Sequence, residues 1–204
     1  MAELWFSSDP HLFHDAMWKD FLIPCGWCKG LGFEIYMDAE QPCRMCKNGM
    51  VPARPFTSTK EMHDCMISNH NDRVKKSDHW TCLGDLTLLR GSYDKQPVQE
   101  EVRKFNGHKR LILGNHDHFD VLVYRVVFEK VRAFNKIDNL LFSHIPLDKG
   151  SIKAGCVNVH GHVHTGPSPE GPYLNICMEP LNYAPVTLEY LKNEAAKILN
   201  RLQT

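Results

Sequence analysis

The sequence predicts an α/β fold: one main domain over residues 1–204 with a small cysteine-rich module inserted at 23–50. Three observations predict it. Short apolar runs suited to buried strands alternate with segments whose apolar residues recur at helical spacing. Nearly every such run stops at a glycine or a polar cluster rich in Asp, Asn and His. Between Ile23 and Met50 both periodicities vanish, and six glycines or prolines accompany four paired cysteines. A chain of 204 residues can bury one substantial core, and no apolar run is long enough to span a bilayer.

Leu4-Trp5-Phe6 reads as a first strand that stops near Asp9. Asp15 to Leu22 is expected to begin a helix. After the cysteine-rich stretch, Thr57 or Ser58 can cap a helix with Met62, Cys65 and Met66 on its apolar face. Trp80 to Leu83 is a second buried strand ending at Gly84-Asp85. Val98 to Phe105 is helical, with Pro97 in its opening turn and Gly107 closing it. Leu111 to Leu113 is the third strand, followed by a helix expected over 118–127. Phe128 to Ile137 is expected as one strand, paired through Asp138-Asn139 with Leu140 to Phe142. Cys156 to Val159 and Tyr173 to Cys177 complete the strands, separated by the Gly- and Pro-rich turn 166–172. Thr187 can cap a last helix with the stripe Leu188, Leu191, Ala195, Ile198, Leu199 and Leu202.

Lys plus Arg equals Asp plus Glu, 24 each, so overall charge favours neither nucleic acid nor membrane. Met1-Ala2-Glu3 lacks the pattern of a signal peptide, and a cytoplasmic location is expected. Cys65, Cys82, Cys156 and Cys177 lie in apolar contexts and are expected as small buried hydrophobes.

The strand ends carry the chemistry. The first leads to Asp9 and His11, the second to Asp85 and the third to Asn115, His116 and Asp117. Leu140 to Phe142 leads to His144, and Val157 to Val159 leads to His160, His162 and His164. A lone Asp or His at a strand end is more often a turn residue than a ligand. Their joint occurrence after five runs reverses that, because strands lying side by side bring such ends together. Carboxylates, a carboxamide and several imidazoles suit divalent transition metals, in more than the number one ion needs.

Asp9-x-His11, Gly84-Asp85, Gly114-Asn115-His116-Asp117, His144 and Gly161-His162-Val163-His164 stand in the order and approximate spacing of the calcineurin-like metallophosphoesterases. Outside the cysteine stretch the whole chain resembles that family, above all its small single-domain bacterial and phage-type members. Ser8-Asp9-Pro10-His11-Leu12-Phe13-His14 and Arg54-Pro55-Phe56 add to the likeness. The resemblance implies a metallophosphoesterase-type β-sandwich flanked by helices, αββα. It implies two divalent ions (Mn, Fe, Zn or Ni), one held by Asp9, His11 and His164 and the other by Asn115, His144 and His162, with Asp85 bridging. His116 is implied to face the substrate phosphate and protonate the leaving oxygen, with Asp117 or a backbone group orienting its ring. His14 is a candidate phosphate contact. The implied reaction is hydrolysis of a phosphodiester or phosphomonoester by in-line attack of a metal-bound hydroxide, with nucleotides and nucleic acids among the candidate substrates.

Cys25-x2-Cys28 and Cys43-x2-Cys46, fourteen residues apart, have the spacing of a structural four-thiolate zinc site. The two texts also resemble zinc ribbons and the cysteine-rich repeats of J-domain chaperones. A stretch with so few large apolar groups needs the metal in order to fold. Two rival functions follow: a zinc-ribbon module binding nucleic acid or protein on a non-catalytic scaffold, and a metal-dependent nuclease. The sequence specifies no protein partner.

Overall fold

A computed structural model describes residues 2–36, 39–90 and 94–203; residues 37–38 of the cysteine-rich stretch and 91–93 of the loop after Asp85 lie outside it. In chain order the elements are β1 (Leu4–Ser7), α1 (Ala16–Lys19), β2 (Leu22–Pro24), β3 (Phe33–Tyr36), β4 (Ala39–Pro42), β5 (Met50–Pro52), α2 (Thr59–Asn71), β6 (His79–Cys82) and α3 (Gln96–Arg103). There follow β7 (His108–Ile112), α4 (Val121–Tyr124), β8 (Lys130–Arg132), β9 (Asn135–Ile137), β10 (Leu140–Phe142), β11 (Val157–His160), β12 (Tyr173–Asn175), β13 (Val186–Thr187) and α5 (Leu188–Arg201).

Residues 1–13 and 63–204 form one compact unit. It is a mixed α/β structure with one sheet in the order β13-β1-β6-β7-β8 and another in the order β12-β11-β10-β9. β1, β6, β7 and β8 run parallel, and so do β10, β11 and β12, so within each sheet the strands deliver their following loops to one end. The Phe6 ring stacks on the Phe142 ring at 4.7 Å. Around that pair Ile112, Leu140, Val157, Val159 and Ile176 join Leu191, Ala195 and Ile198 of α5 in one apolar core drawn from both sheets. Each such side chain contributes roughly 1.5–3 kcal/mol on full burial. The Thr187 hydroxyl caps α5, accepting from the Tyr190 N–H at 3.1 Å.

The single strand expected over 128–137 is two strands. β8 pairs with β7 in the first sheet, whereas β9 turns back through Asp138, at φ 53°, to pair antiparallel with β10 in the second. One alternating run therefore serves two sheets, and the break falls at Ala133-Phe134, which pair with neither. The helix expected over 118–127 shrinks to the single turn α4, since Val121 and Val123 are poor helix formers and only the Asp120 side chain supports its start. The helix expected from Asp15 to Leu22 likewise shrinks to α1.

Residues 14–62 form the second compact unit; the division falls inside α2, between Met62 and His63. It is wider than 23–50, because the Ala53 N–H donates to the Phe21 carbonyl and the Arg54 N–H to the Met17 carbonyl. Strands occur where no strand period is expected: β2 pairs with β5 and β3 with β4, both antiparallel. Strands this short show no alternation because little apolar surface lies beneath them. The buried centre is Cys25, Cys28 and Cys43, with Cys46 and Val51 against it. No helix among the described residues is long and apolar enough to cross a membrane.

Candidate metal centre

The loops after β1, β6, β7, β10 and β11 meet. The Asp9 N–H donates to the Gly84 carbonyl and the His11 N–H to the Asp85 carbonyl, both at 3.1 Å. From the other sheet, the His162 N–H reaches Asp9 Oδ2 at 2.9 Å and the Gly161 N–H reaches the His144 carbonyl at 2.9 Å. Asp9, His11, Asp85, His162 and His164 all adopt left-handed backbone, with φ of 61°, 49°, 49°, 72° and 52°. Such residues cost on the order of 1–3 kcal/mol each and cluster at functional sites. Three glycines allow the close approach: a Cβ on Gly161 would overlap Ser8 and Asp9, one on Gly114 would overlap Asp85, and one on Gly84 would overlap Gly114.

Two groups of metal-competent side chains result, Asp9 with His11 and His164, and Asp85 with His144 and His162; within each, the ligand atoms lie within 4.8 Å of one another. Asp85 Oδ2 is 3.2 Å from His144 Nε2 and 3.7 Å from His11 Nε2, so one oxygen lies between the groups. Asn115 Oδ1 is 3.0 Å from His144 Nε2. The imidazoles are oriented from behind: His144 Nδ1 lies 2.8 Å from the Leu83 carbonyl, and His164 Nδ1 lies 3.0 Å from Glu179 Oε1. A proton kept on Nδ1 leaves the Nε2 lone pair facing the carboxylates, as ligation requires. Burial pushes the Asp9 carboxyl up, but the His11 hydrogen bond and the fields of His144, His11 and His164 outweigh it and hold the group well below the usual carboxylate range. Asp85 is lowered in the same way, against burial, mainly by His144. Burial depresses His144, yet Asp85 and Asp9 carry it above its ordinary value, while burial and the neighbouring His144 lower His162.

Cys25, Cys28, Cys43 and Cys46 form a third metal-competent group, suited to zinc. The Gly32 N–H points at Cys28 Sγ at 3.3 Å. Burial raises the Cys28 thiol, but that N–H and the neighbouring sulfurs bring it down to about 7.

No protein-family model matches the chain. MJ1445, an uncharacterized protein of Methanocaldococcus jannaschii, is 30% identical over 161 residues, which span 73% of this chain and 86% of MJ1445. The chain belongs to the MJ1445 family. The crystal structure of AQ665, a protein of unknown function from Aquifex aeolicus, is similar with a TM-score of 0.60 and 21% identity, over 95% of this chain and 99% of that one. That likeness is one of fold.

In this member of the MJ1445 family, Asp9, His11, Asp85, His144, His162 and His164 come together with Asn115 beside them. The His116 N–H donates to Asp85 Oδ1 at 2.8 Å, and its half-exposed ring lies 6.0 Å from that of His11. The Asp117 carboxylate accepts from the N–H groups of Gly114, Asp85 and Leu86 at 2.8–3.0 Å, clamping the β6 and β7 loops together rather than meeting the His116 ring. Burial pushes that carboxyl up, to about 7, against the pull of the Gly114 and Leu86 hydrogen bonds. His14 belongs to the 14–62 unit. His160 is a satisfied core histidine, bonded to the Gly161 carbonyl and Ser168 Oγ.

Two residues escape the sequence reading. Glu179 orients His164, and Cys177 is no simple buried hydrophobe: it donates to Asp9 Oδ2 at 3.2 Å and accepts the His164 N–H at 3.2 Å. The only hint at the sequence level is the abrupt polarity of Glu179 directly after the apolar run Ile176 to Met178.

Proposed function

We propose that the chain is a dinuclear-metal phosphoesterase of the calcineurin-like type, with the αββα sandwich of that family, hydrolysing phosphodiesters or phosphomonoesters. One observation carries the reading: Asp85 Oδ2 stands 3.2 Å from His144 Nε2 and 3.7 Å from His11 Nε2, a single carboxylate oxygen between two ligand groups. The donor set fits a pair of divalent transition metals, because it combines carboxylates, a carboxamide oxygen and imidazoles, of which His144 and His164 already have Nδ1 engaged. Asp9, His11 and His164 would hold one ion, and Asn115, His144 and His162 the other, with Asp85 shared. When bound, the ions supply positive charge that offsets the phosphoryl and leaving oxygens and lowers the pKa of the attacking water.

The chain's own residues do the rest. His162 and Asn115 are exposed, so a phosphate ester can approach from solvent. His116 is anchored through its backbone N–H to the Asp85 carboxylate, leaving its half-exposed ring to present a proton to the departing alkoxide. Asp117 keeps the loops carrying Asp85 and Asn115 in register through its three backbone hydrogen bonds.

Metal-stripped full-length protein resupplied with Mn should hydrolyse a chromogenic phosphodiester and hold about three ions per chain, zinc at the cysteines included. Asp85→Asn should lose both active-site ions together with turnover. His116→Ala should keep them while slowing turnover by about 10²–10⁴-fold. Inactivity with every metal and pH tried, in a protein holding three ions, would sink the enzymatic reading. One ion per chain, bound only by the cysteines, would favour the zinc-ribbon binding module.

A further inference from the structure

The inner face of the first sheet changes character across its width. Phe6, Thr81, Arg110 and Lys130 are register partners across β1, β6, β7 and β8, so they project from one face; Ile112 and Arg132, two residues along their strands, share it. Phe6 and Ile112 sit in the core between the sheets. Towards the β8 edge the same face turns cationic, and with Asn135, Lys136 and Ile137 of β9 it lines a cavity of about 170 Å³. Arg110, Lys130 and Arg132 line that cleft, and its lining among the described residues holds no carboxylate; Lys136 alternates with Asn135 and Ile137 and so borders it through its backbone. Arg110 Nη2 lies 3.2 Å from His79 Nδ1, while its Nε is buried with no hydrogen-bond partner among the described residues. The acid beside Lys130 in sequence, Glu129, gives its carboxylate to His108 Nδ1 at 2.6 Å and lies within the field of Arg110, so it offsets part of that one charge.

Inward-pointing charges also discourage edge strands from pairing with other chains. One lysine serves that purpose. Edge protection does not explain three cations, Arg110, Lys130 and Arg132, on the cavity side of one sheet, nor a buried guanidinium nitrogen with an unused donor.

The cleft lies close to the metal centre along the strands. Arg132 is the register partner of Ile112, three residues before Asn115, and Asn135 is the partner of Phe142, two residues before His144. At a rise of about 3.3 Å per residue, its near end is roughly 7–10 Å from those ligands. Arg132 Nη1 spans to Asn135 Oδ1 at 3.0 Å there, and Phe134 between them is 43% exposed. Cations with an exposed aromatic ring beside them suit single-stranded nucleic acid, whose phosphates pair with the charges while a base stacks on the ring. The cavity is far too small to seat a duplex.

We propose that the cleft between β8 and β9 binds backbone phosphates of a single-stranded polynucleotide whose neighbouring linkage lies at the metal centre. This deepens the phosphoesterase reading and rests on it for the chemistry, though not for the binding. The binding test uses full-length protein carrying Asp85→Asn, so that a fluorescein-labelled 12-nucleotide DNA is not consumed, with fluorescence anisotropy as the readout. Adding Lys130→Glu and Arg132→Glu should weaken binding at least tenfold and reduce the slope of log affinity against log salt by about 0.7 per lost contact. Arg110→Gln serves as a second, independent variant, with circular dichroism checking the fold of each. In the otherwise native chain, Lys130→Glu with Arg132→Glu should lower the ratio of kcat/KM for the oligonucleotide to that for a small chromogenic diester at least tenfold. Unchanged affinity and an unchanged ratio would overturn the cleft. Inorganic tripolyphosphate displacing the DNA at equal concentration would overturn the polynucleotide assignment. Affinity that depends on Lys130 and Arg132 in a chain inactive on both substrates would uphold the cleft and sink the phosphoesterase reading instead.

Discussion

His164 can act as a ligand through Nε2 only while Nδ1 keeps its proton, and Glu179 Oε1, 3.0 Å away, is the group that holds it there. Glu179→Gln keeps the size of the side chain but removes the charge. It should weaken metal binding at the Asp9, His11 and His164 group by about 10–100-fold. Competition with a chromophoric chelator reads this directly, and the ion at the cysteines should be unaffected. Equal affinity in variant and native protein would remove the positioning role. The residues that meet at the candidate centre were legible because each stands within a few residues of a strand end, so local pattern and three-dimensional proximity coincide. Glu179 was not, since it lies fifteen residues from His164 and reaches it only through the turn after β12. Cys177 is buried as expected, but its apolar neighbours in sequence conceal a sulfur set between Asp9 and the His164 N–H.

At the level of elements, long helices and buried strands are visible from periodicity, and so is the pairing across the Asp138-Asn139 turn, whereas pairings between strands distant in sequence are not. Nothing local in 128–137 says that Lys130 joins one sheet and Lys136 another, because the alternation is the same on both sides of the break. The attachment of α2 illustrates a second contact that periodicity does not reveal. His70 is 1% exposed, with its ring edge-on to Trp80 at 4.7 Å and to Phe105 at 5.1 Å, and its Nε2 lies 3.0 Å from the Asn106 carbonyl. Burial lowers its pKa to about 4, against the Asn106 hydrogen bond, so the folded ring stays neutral at pH values where the unfolded ring is charged. The stability it contributes is complete above an unfolded pKa of about 6.5 and is lost as pH falls towards 4. The full loss is about 3 kcal/mol. Comparing urea midpoints of the native protein and His70→Gln between pH 7.5 and 5 isolates this from other histidines. The native protein should lose more stability on acidification than the variant, and parallel curves would refute the assignment.

Across the molecule, the two units draw their stability from different sources. The larger one has a core of stacked phenylalanines and aliphatic side chains from two sheets and α5. Residues 14–62 have the four cysteines at the centre of two short antiparallel strand pairs. The zinc spacing was legible in the sequence, but the extent of the unit was not. Its outer parts are joined by backbone hydrogen bonds such as Arg54 to Met17, which leave no compositional trace. A structural zinc site is worth on the order of 10–16 kcal/mol in small domains, more than short strand pairs can supply by packing. Cys43→Ser should therefore release the amides that close the module, the Cys25 N–H on the Gly49 carbonyl and the residue 43 N–H on the Gly32 carbonyl. Hydrogen exchange followed by mass spectrometry should show lost protection across β2 to β5, with β1, β6, β10 and β11 as protected as in the native chain. Zinc content should fall by one ion per chain. Retained protection in β2 to β5 would mean that the strand pairs fold without the metal, and loss of protection in β6 and β11 as well would mean that the larger unit depends on it.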